Sequence, residues 1–140
     1  MAEYTYIPIQ TVEDGASVLF NAEPVRGSPA VYHRDGSGTV TLRGNTNQCR
    51  ARFKATFGGN IAVPTGETVG PISIAIAIEG EALGSATAII TPAAVEQYGN
   101  VFAAAFIDVF CGCCAAVSVR NISGIPINVQ NANLIIERVA

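Results

Sequence analysis

Cys49-Arg50-Ala51-Arg52-Phe53-Lys54-Ala55-Thr56-Phe57 is the stretch whose reading decides the fold. Cys49, Ala51, Phe53, Ala55 and Phe57 fall on one parity, and Arg50, Arg52, Lys54 and Thr56 on the other. Successive side chains of a strand point to opposite faces, so strict period two describes a half-buried strand.

The pattern spreads outward from there. Upstream, Ala16–Phe20, Val31–His33 and Thr39–Leu42 each follow a turn-rich run: Glu13-Asp14-Gly15, Gly27-Ser28-Pro29 and Asp35-Gly36-Ser37-Gly38. Downstream, residues 58–70 read as a loop. A hairpin follows, with Ile72, Ile74, Ile76 and Ile78 alternating with smaller or polar residues, a Glu79-Gly80-Glu81 turn, and a return strand from Leu83 to Thr91. Glycine at such a tip supplies the positive φ the turn demands.

Residues 101–110 carry two signals. Phe102, Phe106 and Phe110 are four apart and Ala103-Ala104-Ala105 favours helix. Val101, Ile107 and Val109 are β-branched and the flanks are Gly99 and Gly112. The three Phe also share one face of a strand, and strand is the reading adopted, in keeping with every neighbouring segment. Ala116–Asn121, Ile127–Gln130 and Asn133–Val139 complete about eight short strands, the pattern of two packed sheets. The expected architecture is all-β, a two-sheet sandwich in a single domain over residues 1–140.

Only 14% of the 140 residues are charged and 49% are hydrophobic. Soluble domains average roughly 25% charged. A chain with so few charges is expected to cover apolar surface by associating with copies of itself; the competing reading is a well-packed monomer whose surface is Ser, Thr, Asn and Gly. Phe53, Phe57, Phe102 and Phe106 are the candidates for that interface or for the core behind it; both want large apolar side chains.

The net charge of −3 and pI of 5.0 speak against nucleic acid as a partner. The Arg50/Arg52/Lys54 stripe is too narrow for a phosphate-binding field and reads as a solvated or salt-bridged strand face. No run approaches the ~18 apolar residues that span a membrane. Residues 1–10 lack a basic, then apolar, leader, so synthesis and folding in the cytoplasm without a signal peptide are expected.

Enzyme chemistry is sparse. A Ser–His–Asp site would have to use His33, the one histidine, beside the ordinary turn Asp35-Gly36-Ser37-Gly38. Glu79 and Glu81 are a close acid pair, but they flank a hairpin tip. Cys111-Gly112-Cys113-Cys114 holds one Cys-x-x-Cys, with Cys49 as a possible third ligand. Four well-spaced ligands are lacking, so no metal and no cofactor is expected. The four cysteines are read as reduced thiols that serve as small buried hydrophobes at a strand–turn–strand corner. No enzymatic activity is expected.

The order of segments resembles the jelly roll of tumour necrosis factor-like and complement-type globular heads, from about Thr11 onward. Residues 13–20 resemble its opening strand, Val40–Leu42 and Cys49–Phe57 the pair leading into the core, Ile72–Ile78 with its turn the central hairpin, and Val117–Asn121 with 131–139 the closing strands. The resemblance implies a homotrimer. In the jelly-roll order the strand opened by Cys49 is an antiparallel neighbour of residues 101–110, which implies that Cys49 lies near Cys111. The 121–139 end and the Gly112-Cys113-Cys114 corner also resemble small proteins of bacteriophages and prophages. This implies a virion subunit (capsid decoration, head fibre or tail-associated) that meets other virion proteins. Spore-surface heads are similar but stand behind a Gly-X-Y stalk, which this sequence lacks. The alternative is a glycan- or ligand-binding module using Tyr32, Tyr98 and the Asn45-Thr46-Asn47-Gln48 loop. A cupin-type enzyme would need several His ligands.

Overall fold

The computed structural model describes residues 2–26, 30–34, 36–44, 50–110 and 113–139. Eleven strands occur among them: β1 (Ala2–Tyr6), β2 (Gln10–Val12), β3 (Ala22–Val25), β4 (Val31–His33), β5 (Val40–Arg43), β6 (Arg50–Ala62), β7 (Ile72–Ile78), β8 (Glu81–Ile90), β9 (Gly99–Phe110), β10 (Cys114–Asn121) and β11 (Ile127–Arg138). One sheet has the order β3-β1-β11-β6-β9, with β2 also paired to β11; the other runs β4-β5-β10-β7-β8. Every named pairing is antiparallel. From β3 to β4, β5 to β6, β6 to β7, β8 to β9, β9 to β10 and β10 to β11 the chain changes sheets. This is a jelly roll, as the segment order implied.

The decisive stretch behaves as its alternation requires. Ala51, Phe53, Ala55 and Phe57 of β6 face the partner sheet and are buried, while Arg52, Lys54 and Thr56 are only partly covered. Between the sheets they meet Tyr4, Phe20, Leu42, Ile74, Ile76, Leu134 and Ile136, all essentially solvent-free, in one continuous core. Each such aliphatic or aromatic side chain contributes about 1.5–3 kcal/mol by leaving water.

Four local readings need correction. Residues 58–62 extend β6 and are not loop. Gly58 faces outward with open space above it, and Gly59 tucks against Phe57 and the Ala132 backbone, so the Gly pair is accommodated in the strand. Residues 127–130 and 133–138 form one strand. The register to β6 shifts between Gln130 and Asn133, with Asn131 at φ 56°, so a bulge divides the hydrophobic pattern. Residues 16–20 do not form a ladder strand. Only Ser17 bridges Arg120, and the Gln10 side chain takes both the N–H and the C=O of Leu19, standing in for a neighbouring strand. Val18 and Phe20 are nevertheless fully buried. That segment lies so close to Gly38 that a Cβ there would fall 2.8 Å from Ser17 Cβ. Finally, β1, β2 and β3 have no counterpart among the expected strands.

Candidate interaction surface

β9 is an edge strand of the first sheet. Val101, Ala103, Ile107 and Val109 point inward and are buried; Phe102, Phe106 and Phe110 point outward and are 63, 64 and 62% exposed. The four Phe candidates thus separate: Phe53 and Phe57 are core, Phe102 and Phe106 surface. Phe110, absent from that set, joins the surface pair. The signal was in the sequence. The parity holding the three Phe also holds Asn100 and Asp108, whereas the other parity of 101–109 is wholly apolar.

Beside this ridge the sheet is low. Phe102 is opposite Gly58, and Gly58 is opposite Asn133 of β11; Ala104 is opposite Thr56, and Thr56 opposite Ile135; Phe106 is opposite Lys54, and Lys54 opposite Glu137. Glu3 of β1 is level with Ile135, and its carboxylate accepts a 2.6 Å hydrogen bond from Asn133 Nδ2. The outer face is therefore a Phe ridge on the edge strand and a trough of Gly58, Thr56, Ala104 and Ile135 next to it.

The basic stripe is salt-bridged. Arg52 donates to both Asp108 oxygens, at 2.8 and 3.2 Å, and Arg50 lies 3.5 Å away from the same carboxylate. The hydrogen bond from Arg52, against a smaller opposing effect of burial and aided by both guanidinium charges, holds the Asp108 carboxyl below its usual range. The same hydrogen bond raises Arg52. Two of the three stripe cations are thus engaged within the chain.

The remaining candidates have structural partners. His33 lies 4.6 Å, centroid to centroid, from Tyr4 and edge-on to Phe20. Its Nε2 meets the Ser37 carbonyl at 2.8 Å, which makes Nε2 the protonated nitrogen. The Ser37 hydroxyl accepts from Thr39 N–H instead, so no Ser–His couple forms there. Glu79 accepts from Ala116 N–H and ties the hairpin tip to β10. Tyr32 is exposed, with the Arg43 guanidinium 5.4 Å from its ring centroid. Cys113 and Cys114 are free, exposed thiols, which corrects the reading of them as small buried hydrophobes: they lie at the start of β10, outside the core. Cys49, Cys111 and the 45–48 loop lie outside the described residues. The strand order behind the Cys49–Cys111 expectation is present, because Arg50 pairs with Phe110. Among the described residues no three His, Cys, Asp or Glu side chains come together as metal ligands.

At the opposite end of β9, where β8 of one sheet passes into β9 of the other, a half-open cleft of about 320 Å³ is lined by Ile90, Thr91, Pro92, Gln97, Tyr98 and Gly99. Tyr98 alone of these stood out in the sequence; the rest is made by tertiary packing of two edge strands.

Arrangement and topology define the class: a two-sheet jelly roll of the tumour necrosis factor and complement-head type. The globular domain of zebrafish complement 1qA superposes with a TM-score of 0.65 at 11% identity, covering 96% of this chain and 94% of its own. The Eiger TNF of S. frugiperda gives 0.70 at 13%, covering 100% and 92%, and murine APRIL 0.55 at 12%, covering 92% and 98%. No protein-family model matches the sequence, and the comparison with curated proteins gives no match. The likeness is one of fold.

Proposed function

We propose that the chain is a non-enzymatic structural or adhesive subunit that works as a homotrimer, its copies packed through the outer face of the β9 sheet. The observation that carries this is the row Phe102, Phe106 and Phe110, each more than 60% exposed on one edge strand. A soluble monomer rarely exposes three large aromatics along one strand face, even with Ala104 and the salt-bridged Asp108 between them. Ridge and trough are different patches of one sheet. A contact that seats the ridge of one copy in the trough of the next is head-to-tail, and such contacts make a ring where the rotation between copies closes and a filament where it does not. Three as the ring number comes from the resemblance to tumour necrosis factor-like heads. The 14% charged composition favours the same reading. Light scattering on the purified chain tests it: a mass three times that of the chain supports the trimer, and a monomer at micromolar concentration overturns it.

The setting we propose is a bacteriophage particle, with the chain made in the host cytoplasm and added to the capsid or tail. The resemblance of residues 121–139 and of the 112–114 corner to phage and prophage proteins supports it. Capsid or tail genes beside the coding sequence, and the polypeptide in purified virions by mass spectrometry, are the expected results.

A further inference from the structure

We infer that the cleft between β8 and β9 is a binding site for one ring of a neutral saccharide. The inference does not rest on the trimer, since the cleft is complete within one chain.

The lining argues for the ligand's chemistry. None of the described residues that line the cleft is ionisable near neutral pH. Ile90, Pro92 and Gly99 provide apolar surface, Tyr98 an aromatic ring, and Thr91 and Gln97 polar groups. Gln97 Oε1 is already used by Ala93 N–H at 3.1 Å, which leaves its NH₂ as the group free to donate outward. A sugar ring combines an apolar C–H face, suited to an aromatic surface, with hydroxyls that both donate and accept. An acidic ligand would find no cation in the lining. The volume is at the small end of ligand pockets, which suits one ring rather than a chain of several.

The cleft is also held open before any ligand arrives. The 91–98 loop is fastened by Glu96, which takes φ 57°. Its N–H donates to Val63 O at 2.8 Å, and its carboxylate accepts from Thr65 N–H at 3.0 Å and from Asn128 Nδ2 at 3.2 Å. The one nearby negative charge is thereby committed to the loop's anchorage. The Tyr98 hydroxyl is enclosed next to this anchor without a hydrogen-bond partner of good geometry. A site fixed in advance loses little to ordering on binding.

The test is amide chemical-shift mapping on the full chain, titrated separately with methyl glycosides of glucose, galactose, mannose, fucose, N-acetylglucosamine and N-acetylgalactosamine. At least one is expected to shift the 90–99 amides in a saturable way, Tyr98→Ala to weaken it about tenfold, and Tyr98→Phe to retain it. Thr91→Ala, at an exposed position, provides a second variant with expected weakening and little risk to the fold. The inference is overturned if no glycoside shifts those amides, if Tyr98→Ala and Thr91→Ala both bind like the parent, or if only sialic acid or a proline-rich peptide does so. The last result would assign the cleft to an acidic glycan or a protein partner.

Discussion

Phe102 sits directly across the ladder from Gly58, a large aromatic side chain beside none at all. Phe102 is 63% exposed, and a Cβ built on Gly58 meets nothing within 4 Å. The pair makes a step in the sheet surface, and the step is what a second copy can grip. Two substitutions should undo the assembly without harming the protomer. Phe102→Asp places an uncompensated charge in the buried contact, opposite Gly58 and away from the basic stripe, and Gly58→Leu fills the trough. Both variants should elute as folded monomers, with circular dichroism like the parent's. Trimers that persist in both would rule out this face.

Phe53 is the control for that experiment. It has no exposed surface and packs in the core between the sheets. Phe53→Ala should cost about 3–5 kcal/mol of unfolding free energy, read by urea denaturation. Phe102→Ala should cost the isolated protomer far less. Equal losses would mean that the two Phe pairs share one environment.

Asn121 is a polar residue at 0% exposure, and its side chain joins three stretches of chain. Its Nδ2 donates to Val12 O and Ile125 O, at 3.0 and 2.8 Å, and its Oδ1 accepts from Ser123 N–H at 2.9 Å. Asn121→Leu strands these buried groups and should destabilise by on the order of 3 kcal/mol. Asn121→Asp should be worse, since it aims a buried negative charge at the Val12 and Ile125 carbonyl oxygens, to which it cannot donate. A variant as stable as the parent would show that the loops find other partners.

Tyr4 sets an alkaline limit. Burial, and secondarily the Glu23 charge, push its hydroxyl up to about 12. The folded state favours the neutral phenol, so this contribution is whole below the ordinary tyrosine pKa near ~10. It is lost as pH rises through about 12. The midpoint of urea unfolding should therefore fall between these values, and Tyr4→Phe should flatten that part of the profile. An unchanged slope in Tyr4→Phe would place the titrating group elsewhere.

Much of this was legible before any coordinates. Period two in residues 49–57 and in the Ile72–Ile78 run placed β6 and β7, and turn residues bounded β4, β5 and β10. What hid the rest was pairing. Residues 2–6 and 22–25 become strands because β11 and β1 supply partners; Ala22-Glu23-Pro24-Val25 has little intrinsic β signal, and Pro24 is tolerated because β3 is an edge. Residues 16–20 looked like a strand and became one only in part, because a side-chain amide took the place of a neighbour. Of the candidate surface, the Phe were visible, and the parity they share with Asn100 and Asp108 marked their outward direction. The trough was invisible, since Gly58, Thr56 and Ile135 become neighbours only through β6 and β11.

β11 lies inside its sheet, with β1 and β2 along one side and β6 along the other. Leu134 faces Tyr4 on one flank and Phe57 on the other. During synthesis β1 leaves the ribosome well over a hundred residues ahead of its partner. Until residues 127–138 emerge, β1 and β6 have a gap between them and both present unsatisfied edges. The first sheet therefore closes late, by contacts of long sequence separation, which makes folding slow. In that interval the nascent edges are open to other nascent chains, and copies translated side by side on one message meet while they are still incomplete.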